Sequence, residues 1–243
     1  MKTCVLFITL YLWVITTSNG NIKNGYGFDI QGARESLRNI KLLLEAERNL
    51  PFLQKVSMKN KIDDLIHFIT YYELTEKLLD QFRSISPDLY YEIDSLRDKK
   101  GRNVNIYIKF VPENEMLPGV AGTTNIAQDI NDPDAYHSEY GIHTVSVRIK
   151  VDKKSLQLLA HELGHVQYQV PNLASYIGYH KQYYLTNSYK AKSMGHNDND
   201  PSGRQARDFT NRFQKTYLEV LRAGKTKIDS HIALLQVIKT QIQ

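Results

Sequence analysis

Cysteine is almost absent from this chain. Its 243 residues include one cysteine, Cys4, which lies in an apolar N-terminal segment. A disulfide within the chain is therefore excluded, and the fold has to be held by its hydrophobic core, with the help of a metal ion if one binds. An exported protein without disulfides is more typical of a bacterial envelope or exterior than of a eukaryotic extracellular module.

Long hydrophobic runs are also absent. The longest apolar stretch, residues 4–17, has about 14 residues, fewer than the roughly 20 that a helix needs to cross a bilayer. It follows a positively charged start and precedes the small residues Ser18-Asn19-Gly20, which is the pattern of a secretory signal peptide. We expect residues 1–20 to be removed. The remaining residues 21–243 would then form one domain that is secreted or periplasmic, with no stable insertion into a membrane.

The chain lacks a strong excess of one charge. Its 31 lysines and arginines stand against 26 aspartates and glutamates, and the two signs alternate along most of the sequence. The densest basic segment, residues 97–102, resembles a solvated turn rather than a stripe that follows a phosphate backbone. We therefore expect no nucleic-acid partner.

Hydrophobic spacing predicts helices first and strands later. From about residue 30 to residue 100, apolar residues recur with the 3.6-residue period of amphipathic helices. The period changes to two in the segments 104–110 and 145–151, which is typical of half-buried strands. The pattern predicts an α+β fold, with a helical N-terminal layer (about 30–100) and then a small mixed β-sheet and a C-terminal helical lobe (about 101–243). The helices predicted after the sheet are 155–168, 175–189, 201–223 and 229–242.

One motif in the first of these later helices suggests chemistry. His161 and His165 are four residues apart, so both imidazoles leave the same face of the helix, one turn apart. That separation allows two ring nitrogens to hold one Zn²⁺ ion. Gly164 would let a neighbouring element approach the helix closely, and Asp152 is placed to cap the start of the helix.

Glu162 completes the motif His161-Glu162-Leu163-Gly164-His165. A carboxylate at this position cannot easily bind the metal together with both histidines, but it can reach a water molecule on the metal. It can take the proton of that water as the water attacks a carbonyl group, and pass it to the leaving nitrogen. The predicted chemistry is hydrolysis of an amide bond, with zinc as the cofactor and Glu162 as the catalytic residue.

In its order of strand, motif-bearing helix, loop and further helices, the chain resembles the zincin superfamily of zinc metallopeptidases. The residues that carry the resemblance are His161, Glu162 and His165, and the likeness covers about residues 143–206. It implies a zincin-like fold and hydrolysis of peptide bonds outside the cytoplasm. It also implies that an edge strand, here Ile142 to Val151, lines the cleft and pairs with an extended peptide or protein substrate.

The motif leaves one metal ligand unassigned, because a catalytic zinc site usually has three protein ligands and one open position. The metzincin subgroup would have glycine at position 168 and histidine at position 171, but the chain has Tyr168 and Pro171. The helix with an asparagine-glutamate pair that marks the gluzincin subgroup is also missing, since residues 190–213 contain no glutamate. The third ligand therefore has to be sought elsewhere.

The best candidates lie in the polar loop after the motif. His196 has no evident capping or packing role, which favours it as a ligand. Asp200 precedes Pro201 and therefore also suits the cap of the next helix. Asp198 or a more distant residue remains an alternative. The other histidines of this half of the chain are expected at the surface; they are His137, His143, His180 and His231.

Two further interpretations remain open. The motif defines the attack on an amide but not the acyl group, so a non-peptide amide or a cell-wall bond is an alternative substrate. An exported helical binding protein with a structural zinc is the second alternative. In that case both His196 and Asp200 would fill the coordination shell and leave no open position.

Overall fold

The structure is a computed structural model that describes residues 20–27, 30–46, 50–129, 132, 135–151, 155–186 and 200–242. Within these ranges, no helix is long and apolar enough to cross a membrane. The predicted signal peptide, except for its last residue, lies outside the described residues, and so does the expected cap Asp152.

Helices form both ends of the described chain. Proline precedes or begins several of them, because its fixed φ angle suits a first helical turn. Pro51 precedes the second helix and Pro87 begins the third. In chain order the helices are α1 (Ile30–Ala46), α2 (Phe52–Ile85), α3 (Pro87–Asp94), α4 (Ser155–Gln169), α5 (Leu173–Thr186) and α6 (Pro201–Ile242).

The last helix differs from the sequence-based prediction of two helices, 201–223 and 229–242. It is one continuous helix of 42 residues. Gly224 lies within it at an exposed position. A glycine in an exposed helix costs about 1 kcal/mol relative to alanine, which weakens the helix there but does not end it.

The strands lie between these two helical regions, apart from one near the N-terminus. They are β1 (Ile22–Asn24), β2 (Asn105–Val111), β3 (Gly122–Asn125), β4 (Ala127–Gln128), β5 (Tyr136–Ser138), β6 (Gly141–Ile142) and β7 (Thr144–Lys150). A four-stranded sheet has the order β1-β2-β7-β3, and a three-stranded sheet has the order β4-β5-β6. In the larger sheet β1, β2 and β7 are parallel, whereas β3 runs antiparallel to β7.

This order corrects one expectation. The segment Ile142 to Val151 was expected at the edge of the sheet, but its strand β7 lies between β2 and β3. The edge next to the helical lobe is β3, in which Thr124 is paired with Val147 of β7. Alternation of apolar and polar residues marks a strand but does not distinguish a central strand from an edge strand, and β3 is too short and too polar to show that alternation.

The hydrophobic core lies between the four-stranded sheet and helices α2, α4 and α6. The side chains of Ile106 in β2 and Val147 in β7 are fully buried there. Phe82 of α2 stacks on Phe213 of α6 with ring centroids 4.9 Å apart. Burial of each such side chain stabilises the fold by about 2–3 kcal/mol. The core thereby joins the N-terminal helices to the helix that carries the motif.

Helices α4 and α6 approach each other closely at Gly164. A Cβ atom at this position would lie 2.6 Å from the Cα atom of Ala206 and 2.8 Å from the Cβ atom of Phe209. Only glycine leaves enough room for this approach, so the expectation for Gly164 is confirmed. The start of α6 is thereby held against the second half of α4.

Candidate metal centre

His161 and His165 lie side by side on α4. Their ring centroids are 4.9 Å apart, and the ring planes are nearly perpendicular, at 87°. His165 is buried, with 5% of its surface exposed, whereas His161 is partly exposed. One imidazole is therefore enclosed by its surroundings, and the other lies at the boundary with solvent.

Glu162 lies beneath the edge strand β3 and is 5% exposed. The hydroxyl of Thr124 lies 2.7 Å from its Oε2 atom and 3.1 Å from its backbone oxygen. A Cβ atom on Gly122 would lie only 2.6 Å from Oε1. Two residues of β3 therefore accommodate the carboxylate. Thr124 donates a hydrogen bond to it, and Gly122 leaves space for it because it has no side chain.

The surroundings of Glu162 change its acidity. Burial raises the pKa of its carboxyl group from 4.5 to about 7, and the hydrogen bond from Thr124 acts in the opposite direction. Burial raises the pKa because a charged carboxylate loses its hydration, whereas a donated hydrogen bond favours the charged form. A carboxyl group with a pKa near 7 can both accept and release a proton near neutral pH.

A buried hydrogen-bond cluster joins α4 to the start of α6. Nδ1 of His165 lies 2.8 Å from Oγ of Ser202, and Nε2 of Gln169 lies 3.1 Å from the same oxygen. Ser202 is fully buried, and Gln169 is 3% exposed. Because Nδ1 of His165 is engaged with Ser202, a metal bound by this histidine would contact Nε2.

Asp200 immediately precedes α6 and caps it. Its Oδ1 atom accepts a hydrogen bond of 3.0 Å from the backbone N–H of Ser202. Its backbone oxygen accepts the first helical bond from Arg204, at 2.9 Å. The expected capping role is confirmed. Its role as a metal ligand stays a prediction.

The third metal ligand is not defined by the described part of the chain. His196 and Asp198 fall in the segment 191–199, which lies outside the described residues. Among the residues that are described, no group of three or more His, Cys, Asp or Glu side chains is arranged to hold a metal ion. The donors that are described, two imidazoles one helical turn apart, suit zinc in chemistry and in spacing.

Other histidines differ in their surroundings. His137 is exposed, as expected for a surface residue. His143 differs from that expectation: it adopts a φ angle of 57°, its Nε2 atom accepts a hydrogen bond from Arg102 at 3.0 Å, and its ring packs edge-on against Tyr136. The side chains of His180 and His231 lie outside the described part.

Sequence reasoning missed the residues that surround the motif. Gly122 and Thr124 lie in a segment rich in glycine, proline and asparagine that has only a weak strand signal. Ser202 follows Asp200-Pro201, where the capping pattern explains the local sequence without reference to the motif. Gln169 lies four residues after His165, on the same helix face, and this spacing was the one available signal.

Comparisons with known proteins add no assignment. Neither a family model, nor a curated protein, nor a solved structure matches the chain.

Proposed function

We propose that the protein is a secreted zinc metallopeptidase that hydrolyses peptide bonds, with Glu162 as the general base and acid. The observation that supports this proposal most directly is the position of Glu162, which is buried beside His161 and His165. Its carboxylate accepts a hydrogen bond from Thr124 of the edge strand β3. A buried carboxylate without a charged partner is costly to the fold. Its presence beside two histidines is therefore better explained by chemistry than by stability.

In this proposal His161 and His165 hold the metal, with His196 or Asp200 as the third ligand. A bound zinc ion would polarise the scissile carbonyl group and lower the pKa of a bound water to about 7. Glu162 would accept the proton of the attacking water and pass it to the leaving nitrogen. The hydrogen bond from Thr124 fixes the carboxylate during both transfers.

The corrected sheet order changes where the substrate is proposed to bind. In the described residues the edge strands of the four-stranded sheet are β1 and β3, and β7 lies inside the sheet. Strand β3 passes directly over Glu162. An extended peptide paired with the outer edge of β3 would lie along the strand that touches the catalytic carboxylate. We therefore propose residues Gly122–Asn125 as the strand that binds the peptide backbone.

The decisive experiment replaces the proton acceptor while it keeps the metal ligands. Glu162→Gln is expected to retain zinc and fold but to lose roughly 10²- to 10⁴-fold in the rate of hydrolysis of a quenched fluorescent peptide library. Glu139→Gln, at an exposed ion pair with Arg148, is the matched control and should keep the parent rate. Near-normal turnover by Glu162→Gln would refute the mechanism.

The metal ligands are tested by zinc content. His161→Ala and His165→Ala should each lose bound zinc, whereas His137→Ala, at an exposed position, should keep it. If both ligand variants keep the parent zinc stoichiometry, the metal lies elsewhere.

The third ligand is tested by two substitutions of different design. If His196 is the ligand, His196→Ala weakens zinc binding and Asp200→Asn changes it little, because asparagine still caps α6. If Asp200 is the ligand, the order is reversed, since an amide replaces a carboxylate at the metal. Parent-like zinc binding by both variants would exclude both residues.

A further inference from the structure

The cluster of His165, Ser202 and Gln169 goes beyond the three residues of the motif. All three side chains are buried, and they form a chain of two hydrogen bonds that ends on Nδ1 of His165. A histidine binds a metal through a nitrogen that carries no proton. The direction of the hydrogen bonds in this chain therefore decides whether His165 can bind zinc through Nε2.

Ser202 has one hydroxyl hydrogen, and among the described residues its hydroxyl contacts only His165 and Gln169. A buried hydroxyl that is not left unpaired therefore donates to one of these two side chains, which gives the hydrogen-bonded cluster two directions. With Nε2 of Gln169 donating to Oγ of Ser202, the serine hydroxyl completes the chain by donating to Nδ1 of His165. The proton of the neutral imidazole is then on Nε2, where it blocks a metal. In the opposite direction Nδ1–H of His165 donates to Ser202, Ser202 donates to the amide oxygen of Gln169, and Nε2 of His165 carries a lone pair.

The amide of Gln169 is able to reverse this direction. Its Oε1 atom has no hydrogen-bond partner among the described residues. A rotation of the amide by a half-turn about its last side-chain bond would therefore break no hydrogen bond of Oε1. That rotation exchanges an amide nitrogen and an amide oxygen of nearly the same size, so it brings the oxygen to Ser202 without a change in packing.

We propose that Ser202 and Gln169 are positioning residues that select the metal-binding tautomer of His165. The amide oxygen of Gln169 accepts from Ser202, Ser202 accepts from Nδ1–H, and Nε2 keeps the lone pair that a zinc ion would use. The inference rests on the proposed zinc site. Partners of this kind on the second nitrogen of a ligating histidine commonly change metal affinity roughly 10- to 100-fold.

The cluster also links the metal site to the start of α6. Ser202 is held in place by its own backbone N–H, which donates to Asp200 at 3.0 Å. The approach of α6 to α4 at Gly164 brings the serine to His165. The tautomer of the ligand thus depends on a contact between two helices and not on α4 alone.

The test measures zinc affinity, by competition with a chromophoric chelator, in Ser202→Ala and Gln169→Met. Each variant is expected to bind zinc roughly 10- to 100-fold more weakly than the parent protein. Thr75→Val is the matched control: Thr75 of α2 is fully buried, and its hydroxyl accepts from the backbone N–H of Phe110 in β2 at 3.0 Å. It should lose stability but keep the parent zinc affinity.

A second readout does not depend on affinity. Nitrogen-15 NMR of the zinc-loaded parent should show the proton of His165 on Nδ1, exchanging slowly with water, and faster exchange in both variants. Parent-like zinc affinity in both variants overturns the role of Ser202 and Gln169 and leaves the zinc site standing. A parent protein that binds no zinc overturns the proposed function and this inference together.

Discussion

Replacement of Gly164 by alanine tests the helix contact on which the site depends. The added Cβ atom would lie 2.6 Å from Cα of Ala206, 2.8 Å from Cβ of Phe209 and 3.1 Å from the backbone oxygen of Gln205. Unstrained carbon atoms approach to about 3.5–4.0 Å. The obstructing atoms belong mainly to the backbone and to a Cβ atom, so no flexible side chain can give way. Helices α4 and α6 must move apart by about 1 Å to restore ordinary contact distances.

Two opposing effects set the size of the loss. Excess volume in a packed core costs about 1–3 kcal/mol, and backbone atoms place this case at the upper end. Alanine gains about 1 kcal/mol over glycine within a helix. The expected net change is a loss of about 1–2 kcal/mol in the free energy of unfolding. Urea denaturation measures this value.

The control substitution is expected to change the free energy of unfolding in the opposite direction. Gly178 lies in α5, and a Cβ atom there would meet nothing within 4 Å. Gly178→Ala should therefore stabilise the protein by up to about 1 kcal/mol. Gly164→Ala should also weaken zinc binding, because the separation of the helices moves Ser202 away from His165. If Gly164→Ala is as stable as Gly178→Ala, the close approach of the two helices is wrong.

Three further outcomes are expected. In the zinc-free protein, Glu162 has a pKa of about 7 when folded and 4.5 as its ordinary value, so the folded state holds the proton more tightly. The contribution of Glu162 to stability should therefore fall by about 3 kcal/mol as pH rises from 4.5 to 7. It is measured as the difference in unfolding free energy between the parent and Glu162→Gln in urea denaturation across this range. Thr124→Val removes the bond that favours the carboxylate, so NMR titration should find a higher pKa for Glu162 than in the parent. Phe213→Ala, which removes the ring stacked on Phe82, should cost about 3–5 kcal/mol in unfolding free energy.

The motif helix was predictable because several local signals agree. The spacing of His161 and His165, the apolar side that includes Leu159 and Leu163, and the glycine at 164 all favour a helix packed on a neighbour. The structure contains this helix as α4, and the close approach at Gly164 is present. Features of this kind can be predicted from the local sequence alone, because they do not depend on residues far away in the chain.

The sheet order was not predictable from the same kind of signal. The strand Thr144–Lys150 alternates apolar and polar residues and was expected to be a half-buried edge strand. Its polar residues Thr144 and Ser146 are buried as well, because the strand lies inside the sheet. The strand that lies at the edge beside β7 in the described residues, Gly122–Asn125, is short and contains no large apolar residue. It is fixed by pairing with β7 and by the contact of Thr124 with Glu162, both of which join residues far apart in sequence.

The partners of the motif were hidden for a similar reason. Ser202 is 37 residues from His165, and its local sequence is fully explained by the cap at Asp200. When a residue has both a local role and a contact with a distant residue, the sequence pattern around it indicates only the local role.

The parallel pairing of β1 has a consequence for the order of folding. Ile22 is paired with Ile106, and Ile106 is in turn paired with Val145. Strand β1 is thus a partner of residues that are synthesised much later, and a chain that ends before β7 lacks one of the two inner strands of this sheet. Contacts between residues so far apart in sequence form slowly, because a long loop has to close before they contribute stability. A nascent chain therefore keeps β1 unpaired at least until β2, which ends at residue 111 of 243, has been made, and this leaves the N-terminal segment accessible to any factor that acts on the emerging chain.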